Sequence, residues 1–523
     1  MSTPESKIYI CGGVNLNSSY RHTIFFESDE AQLAYFSGKV VKTFSDYTYL
    51  RRTWDIEVQA TPTESEGWNY LFFRNSPNGK YYFYFINHVE YVSDYSVKLS
   101  LEMDVMQTYR SDYILNECFI DREHSETDEV GDNLIDEGLE LGEYVINHSQ
   151  NLDMQDLSIV LLTTFDPNSV KGEDDYTIRL PAVQPKIYTA LCLSARPLSE
   201  YLALTTDLNK WDGYGLSDGV VSMWMYPTKL LNLSKSEGQH YYTVNYGESF
   251  DTLFVRHGTL DGYIPTNKKL LTHPFNLLYV SNNSGGSAEY HYERFGDPLQ
   301  CSLRVSGTPG AEGSVKLFPI NYKGLTINYE EGLMGGTYPT CAWNQDVYKL
   351  WLAQNQNQQT MSFLTSAGSV LGGLGLIATG AGAPIGAGMM ISGSVGVFNQ
   401  IAQHKDRQVQ PPQAKGSFSA SINIENEHQT FTVQKKSIDG YHARIIDDFF
   451  TMYGYKTNRV KIPNRKVRKH FTYTKTVGCQ VAGNLCNEDK VKIQNIFDNG
   501  VTFWVDGDEI GWYITHSTDN TPL

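Results

Sequence analysis

A long stretch without any charged side chain constrains this chain more than any other feature of its sequence. Between Lys349 and Lys405 there is no Asp, Glu, Lys or Arg, and ten of the residues from Gly368 to Gly396 are glycine. Surface helices of soluble proteins carry a charged or polar face. The segment near residues 361 to 401 must therefore be buried in an assembly or enter a membrane.

Two interpretations of this segment are open. Residues 361–379 and 385–403 flank a Gly-Ala-Gly-Ala-Pro turn, and each is close to the roughly 20 residues that cross a bilayer as a helix. Alternatively, the segment is a glycine-rich helical hairpin buried between subunits, where small residues let backbones approach closely. An apolar surface of this size must be hidden until it is used. Glycine would lower the cost of a second backbone conformation.

The membrane interpretation is the one we carry forward. It predicts a membrane-active loop whose apolar side chains are Met361, Phe363, Leu364, Val370, Leu371, Leu374, Leu376, Ile377, Pro384, Ile385, Met389, Met390, Ile391, Val395, Val397 and Phe398.

The rest of the chain predicts a mainly β protein with a few helices, of the α+β class. A length of 523 residues exceeds one ordinary hydrophobic core and indicates several domains. The 35 Tyr and 24 Phe favour pleated, half-buried surfaces. We expect an apolar helical or flexible loop insertion within this multi-domain β framework.

Alternating apolar residues predict several strands. Residues 81–85 and 97–105 are expected to form a hairpin joined by turn formers at 87–94, and residues 416–424 another strand. Each strand of the hairpin is expected to bury one face, with the polar residues Lys98, Ser100, Glu102 and Asp104 on the outer face. Residues 501–505 and 510–514 flank Asp506-Gly507, a dipeptide suited to a tight turn.

Helices are fewer. They are predicted over 441–453, ended by Gly454, over a segment capped by Asn487 that carries Val491, Ile493 and Ile496, and over 347–365. The first two are expected to pack on the sheets through their apolar residues.

Four domains are predicted from these elements and from composition. They are an N-terminal β-rich domain (1–165), a β-rich middle domain (166–345), a helix with the glycine-rich loop (346–410), and a C-terminal β/α part that completes the first domain (411–523).

Charge is unevenly distributed. The net charge is −17, yet residues 401–523 contain 16 Lys and Arg against 13 Asp and Glu. Residues 112–143 hold twelve acidic residues and a single basic one, Arg122. Such a run is usually a solvated face, with a channel lining or a catalytic carboxylate pair as the alternatives.

A basic strip interleaved with aromatic residues follows near the C-terminus. Nucleic-acid binding is one interpretation, and pairing with the acidic surface of a neighbouring subunit is the favoured one. Its predicted residues are Lys456, Arg459, Lys461, Arg465, Lys466, Arg468 and Lys469.

Catalytic and cofactor motifs are weak. The seven Cys lack disulfide or zinc spacing and are expected to be reduced, buried thiols, while the 13 His lack the spacing of a zinc protease. A glycine pattern at 373–378 has no strand before it and no acidic residue after it, and Gly215-Leu216-Ser217-Asp218-Gly219 is expected to be a surface turn. The sequence predicts no catalytic residue, metal or cofactor.

The first residues lack an apolar signal core, which favours synthesis in a cytosol.

Several motifs resemble the tail knob, or distal tail tube, proteins of small short-tailed bacteriophages of Gram-positive hosts, of the picovirus type. In the N-terminal third these are residues 101–108 (LEMDVMQT), 119–124 (FIDREH) and 135–139 (IDEGL). In the C-terminal part they are 449–450 (FF), 453–461 (YGYKTNRVK), 463–464 (PN) and 496–504 (IFDNGVTFW). The charge-free segment also lies in the corresponding place. Residues 170–340 show little specific similarity.

The resemblance implies a structural virion protein at the distal end of the tail. Its members form homohexameric tubes with a central channel for genome ejection, and they release apolar loops into the host membrane. The expected partners are further copies of the chain, other tail proteins, the host membrane and double-stranded DNA in transit. An acidic channel wall would keep DNA from sticking. A tail-associated cell-wall-degrading enzyme and a pore-forming toxin are the alternatives.

Overall fold

The computed structural model describes most of the chain outside the charge-free segment. The described residues are 7–45, 55–74, 79–152, 154, 156–170, 191–213, 216, 219–245, 249–283, 285–307, 314–337, 340–342 and 431–523. The predicted helix at 347–365 and the predicted strand at 416–424 lie outside these residues.

Strands dominate the described residues, as the amino-acid pattern predicts. The strands are β1 Lys7–Gly12, β2 His22–Ile24, β3 Val40–Ser45, β4 Asp55–Val58, β5 Trp68–Arg74, β6 Tyr81–Ser93, β7 Ser96–Met103, β8 Tyr113–Leu115, β9 Cys118–Glu123, β10 Tyr144–Asn151, β11 Leu157–Thr163, β12 Cys192–Pro197, β13 Val220–Pro227, β14 Asn232–Ser234, β15 Tyr242–Asn245, β16 Ser249–Val255, β17 Asn276–Ser281, β18 Ser287–Tyr290, β19 Gln300–Gly307, β20 Ser314–Tyr322, β21 Leu325–Ile327, β22 Leu333–Thr337, β23 Thr340–Ala342, β24 Thr432–Ile438, β25 Tyr455–Lys461, β26 Phe471–Val477, β27 Val481–Gly483 and β28 Val501–Trp504.

Helices are shorter and fewer. In the part of the chain that the structure describes, the α-helices are α1 Asp29–Gly38, α2 Val105–Thr108, α3 Tyr201–Gly213, α4 Gly440–Tyr453 and α5 Asn487–Asn499. Short 3-10 turns include Lys268–Leu271 and Gly507–Glu509.

The chain forms two compact units, and each is built from separate stretches of sequence. The first contains residues 1–143, 258–275 and 438–523, and the second contains 144–257 and 276–437. The N-terminal and C-terminal parts thus share one unit. The chain first passes from the first unit to the second between residues 143 and 144, whereas the sequence predicted a domain boundary between residues 165 and 166. The four predicted domains remain a prediction.

A six-stranded antiparallel sheet, in the order β3-β1-β5-β6-β7-β4, forms one part of the first unit. It buries both faces along its middle strands. Phe72 and Phe83 belong to one hydrophobic cluster, whereas Leu71 and Tyr84 belong to a second cluster. Because successive side chains of a strand point to opposite faces, an unbroken aromatic run suits a sheet that is covered on both sides.

A second sheet of this unit, in the order β2-β28-β26-β9-β25, brings the chain ends together. Strand β9 lies between β25 and β26 and is antiparallel to both. Strand β2 pairs in parallel with β28. Tertiary pairing therefore joins residues 118–123 to residues 455–477.

Helices α4 and α5 of the first unit form where the sequence predicts helices, but only α4 has the predicted terminal residue. Asp439 caps α4 by accepting hydrogen bonds from the amides of Tyr441 and His442, both at 3.0 Å, and α4 ends at Gly454, whose φ is 65°. Glycine adopts this left-handed conformation without steric cost. Helix α5 begins at Asn487, but Cys486 occupies the cap position, so the predicted capping by Asn487 is wrong.

The described residues of the second unit form three sheets around one large core. Their strand orders are β10-β24-β17-β18, β14-β15-β12-β11-β13-β23, and β16-β19-β20-β21 with β22 beside β20. Their shared cluster includes Trp224, Tyr226, Leu303 and Leu317. The middle of the chain is thus β-rich, as expected.

Several local predictions differ from the structure. Strand β6 runs through the predicted turn at 87–94 to Ser93, and residues 510–514 form no strand because the chain turns into a 3-10 helix at Gly507. Asp104, expected to face outward, is buried as the cap of α2. Val491 is 52% exposed, and Cys486 is exposed, although both were expected to be buried.

Candidate functional site

The predicted membrane-active residues, Met361 to Phe398, lie outside the described residues. The nearest described strands before and after this stretch belong to the second unit. Strand β23 precedes it and pairs with β13, and strand β24 follows it and pairs with β17. Among the described residues, no helix combines the length and apolarity that a bilayer span requires.

The basic strip lies on β25 and on the loop after it, within the first unit, and Lys475 on β26 adds a further basic residue beside it. Part of its charge is matched inside the same chain. The ammonium of Lys461 lies 2.6 Å from the carboxylate of Glu123, and that of Lys475 lies 3.1 Å from Asp121. Lys466 forms an ion pair with Glu27. The complementary charges of residues 112–143 and 456–475 thus meet across neighbouring strands.

The remaining strip residues differ in exposure. Arg459 and Lys469 are exposed, and Lys456 and Arg465 are half-buried. Arg468 is buried, and burial lowers the pKa of its guanidinium. The guanidinium carbon of Arg465 lies 5.7 Å from the ring centre of Tyr113. Arg459 and Lys469 are therefore the strip residues most available to a partner.

A buried ion cluster centred on Glu137 lies beside this strip. The Glu137 carboxylate is 1% exposed and pairs with Arg122 and with Lys269, whose ammonium lies 2.5 Å from Oε1. It also accepts a hydrogen bond of 2.9 Å from the amide of Lys456. Arg122 further donates to the carbonyl of Gly454 at 2.7 Å. One carboxylate thus ties three separate segments together.

Burial dominates the electrostatics of the cluster. The side chain of Lys269 is 2% exposed, and burial lowers the pKa of its ammonium although Glu137 opposes that shift. Lys269 also donates to the carbonyl of Ile135 at 2.7 Å. A buried charge persists only where it is paired and hydrogen-bonded, so Glu137 and Lys269 depend on each other.

A second buried network adjoins helix α4. Asp447 accepts hydrogen bonds from the Tyr263 hydroxyl at 2.8 Å and from the amide and side chain of Asn267 at 2.9 and 2.8 Å. The Tyr455 hydroxyl donates to Asp128 at 2.6 Å. These bonds fix residues 263–267 against α4 and join the acidic run to β25.

His124 is a further buried group. Its Nδ1 accepts from the amide of Tyr473 at 2.7 Å, so its Nε2 donates to the carbonyl of Thr451 at 3.0 Å. Burial, assisted by the charge of Arg468, lowers the pKa of His124 to about 3. The imidazole is therefore held neutral as a bridge between α4 and β26.

The motifs that resemble tail knob proteins meet in these networks. Arg122 and His124 come from 119–124, Glu137 from 135–139, and Lys456 from 453–461. The 101–108 motif forms a separate buried corner, where Asp104 caps α2 and burial raises the pKa of its carboxyl to about 6.

Sequence reasoning missed Lys269, Asn267 and Asp447. Lys269 lies in a Lys-Lys-Leu-Leu sequence, and a lysine beside leucines carries no local sign that it will be buried. The pairing partner of each residue is distant in the chain, so only the fold reveals it.

Part of the acidic run stays at the surface. The exposed acidic residues of the run are Glu117, Glu126, Glu129, Asp132, Asp136, Glu140 and Glu143. This distribution gives the first unit an acidic surface beside its buried ion cluster.

Residues 4–114 match the family model of the caudoviral major tail protein N-terminus. This class comprises tail proteins of tailed bacteriophages.

A second family model narrows the class. Residues 240–520, more than half of the chain, match the model for the C-terminal domain of the tail knob protein gp9 of Bacillus phage phi29. The chain belongs to this tail knob family, and it is a structural protein of the phage tail.

Individual relatives agree over nearly full length. The tail knob protein gp9 of Bacillus phage B103 is 26% identical over 97% of both chains, and that of phage phi29 is 25% identical over 97% of this chain and 98% of its own. The solved tail knob protein gp12 of bacteriophage C1 covers 99% of this chain and all of its own, with a TM-score of 0.67 at 14% identity. This structural likeness confirms the mainly β, multi-domain fold.

Proposed function

We propose that six copies of this protein form the distal tube of the phage tail. The central channel conducts the genome, and the charge-free segment penetrates the host membrane. The protein catalyses no reaction in this role, and it is made in the bacterial cytoplasm before it joins other tail proteins. Membership of the tail knob family carries the structural part of the proposal.

The observation that supports the membrane part is that strands of the second unit both precede and follow the charge-free segment in the chain. Strand β23 ends at Ala342 and strand β24 begins at Thr432, and each is hydrogen-bonded into a sheet of that unit. A segment between two strands of one unit can enter a bilayer only as a loop that returns to that unit. Two stretches of about 20 apolar residues around a central turn meet that requirement.

The charges of the first unit fit a ring around DNA. Its exposed acidic residues repel phosphate, so DNA in transit would not adhere. Arg459 and Lys469 are exposed and are available to the acidic surface of a neighbouring copy. This arrangement favours subunit contact over DNA binding for the basic strip.

Deletion of residues 365–398 tests the membrane role. The shortened protein should still form six-membered rings by native mass spectrometry and electron microscopy, because the described sheets remain. Its release of dye from liposomes of phosphatidylglycerol and phosphatidylethanolamine should fall at least tenfold. Equal dye release from the full and shortened proteins would overturn the membrane role, and monomers of the full protein would overturn the tube.

A length-preserving variant separates membrane insertion from loss of chain. Replacing Leu374, Leu376 and Ile377 by Asp adds charges that each cost about 3 kcal/mol in a bilayer core. This variant should assemble and fail to release dye. The matched control carries Ile264→Asp and Ile514→Asp, since these side chains are already 74% and 90% exposed. The control should release dye like the unmodified protein.

A further inference from the structure

Two stacked histidines and two carboxylates meet near the C-terminus of the first unit. The rings of His470 and His516 lie 3.8 Å apart with an interplanar angle of 17°. Asp519 lies at one end of the stack, 3.0 Å from His470 Nε2 and 3.3 Å from His516 Nδ1. Glu509 lies at the other end, 3.0 Å from His516 Nε2 and 3.7 Å from His470 Nδ1. Every imidazole nitrogen therefore faces a carboxylate.

Two neutral imidazoles cannot donate a hydrogen bond to a carboxylate from all four of their nitrogens. A neutral histidine has one donor and one acceptor nitrogen, and an ionised carboxylate only accepts. Two of the four nitrogens would then present a lone pair to a carboxylate oxygen. His516, whose residue is 6% exposed, has in addition a buried Nε2 without a hydrogen bond of good geometry. Protonating both rings would instead stack two cations at 3.8 Å.

A single cation at the Asp519 end resolves all four contacts. His470 Nε2, His516 Nδ1 and an Asp519 oxygen would coordinate the cation, with the two stacked rings tilting toward each other so that their in-plane lone pairs converge on it. The opposite nitrogens then both carry protons and point to Glu509, as metal-bound histidines commonly do toward a carboxylate. The ligand atoms of His470, His516 and Asp519 lie within 4.8 Å of one another. Bonds of about 2.1 Å place tetrahedral ligand atoms roughly 3.4 Å apart. Asp519 Oδ2 lies 3.0 Å from His470 Nε2, and Asp519 Oδ1 lies 3.3 Å from His516 Nδ1, so each oxygen is at such a spacing from one nitrogen.

We propose that His470, His516 and Asp519 bind a divalent transition-metal ion of the zinc class, with Glu509 orienting both imidazoles from the opposite side. Two imidazoles and one carboxylate suit Zn²⁺ and related ions better than Mg²⁺ or Ca²⁺, which prefer oxygen ligands. The side chain of Asp519 is 47% exposed, so the ion can reach the site from solvent.

The site would fasten the C-terminal segment to the second sheet of the unit. His470 directly precedes β26, whereas the other ligands follow β28. The side chain of Asn520 already accepts from the amides of His470 and Phe471 at 3.0 and 3.1 Å, and Tyr513 packs edge-on against Phe471. A metal ion that binds only the folded chain stabilises it by mass action.

Titration of the full-length, chelator-treated protein with Co²⁺ and Zn²⁺ tests the proposal. One ion should bind per chain, Co²⁺ should give the visible absorption of a tetrahedral or five-coordinate site, and Zn²⁺ should raise the melting temperature. Asp519→Asn and His516→Gln should each weaken binding at least 100-fold. Glu509→Gln should weaken it 10- to 100-fold, the usual effect of losing an orienting partner.

His442→Gln is the matched control. His442 also contacts a carboxylate, that of Asp439 at 2.6 Å, but the proposed metal site does not include it, so metal binding should not change. Asp519→Asn keeps both imidazoles and alters a half-exposed residue, which guards against a variant that fails to fold. Binding by a folded Asp519→Asn protein that equals the unmodified protein, or no saturable binding by the latter, would overturn the site.

Discussion

The buried carboxylate of Glu137 offers the sharpest test of what holds the first unit together. Replacing it by Gln keeps the shape but leaves Lys269, whose side chain is 2% exposed, and Arg122, at 14%, without their counter-charge. Removing one partner of a buried ion pair costs about 3–5 kcal/mol. We expect a loss of unfolding free energy in that range for Glu137→Gln at pH 7.

The pH dependence of this loss identifies its cause. Burial already lowers the pKa of Lys269 in the folded protein, and without Glu137 that pKa falls further. A lysine with a lower pKa in the folded state binds fewer protons there than in the unfolded chain, so stability rises with pH. The deficit of Glu137→Gln should therefore shrink as the pH rises from 7 toward 10.

A local probe is needed because a protein of two units need not unfold in one step. Hydrogen exchange at the amide of Lys456, which donates to Glu137, should accelerate at least 100-fold in the variant. The exposed Glu140 provides a control, since Glu140→Gln should change stability by less than about 0.5 kcal/mol. Similar small effects at both positions would refute the argument that this cluster fixes the unit.

Two further predictions concern residues near the same cluster. Burial lowers the pKa of His124 in the folded protein to about 3, so the unfolded chain takes up a proton at this histidine at higher pH than the folded protein does. As the pH falls from 6.5 to 3, the unmodified protein should therefore lose up to about 1.4 kcal/mol more unfolding free energy per pH unit than His124→Asn. Urea unfolding at several pH values measures this difference. Parallel pH profiles would contradict this. Gly454→Ala should cost more than about 2 kcal/mol, since its φ is 65° and a Cβ would meet the Glu123 carbonyl oxygen at 2.1 Å. The control Gly478→Ala, with φ 69° and open space around it, should cost about 1 kcal/mol, and equal melting temperatures would contradict the steric argument.

Local patterns in the sequence predicted the elements whose formation depends on neighbouring residues. The period of two over 97–103 predicted β7, and the apolar spacing with Gly454 predicted α4. The same patterns failed where the environment decides. The strand at 81–85 was expected to bury one face, yet both faces are covered, and Asp506-Gly507 leads into a 3-10 helix where a tight turn between strands was expected. Neither outcome is encoded by the spacing of residues alone.

The sequence by itself determined the β-rich class, the charge-free segment, the uneven charge and the resemblance to tail knob proteins. These properties depend on composition and on residues that are close in the chain. Only the tertiary structure decided which charges meet. Glu137 pairs with Lys269, and His470 stacks on His516, because sheet pairing brings distant segments together. A buried ion cluster or a metal site depends on distances of a few ångströms between such segments, and no local pattern carries that information.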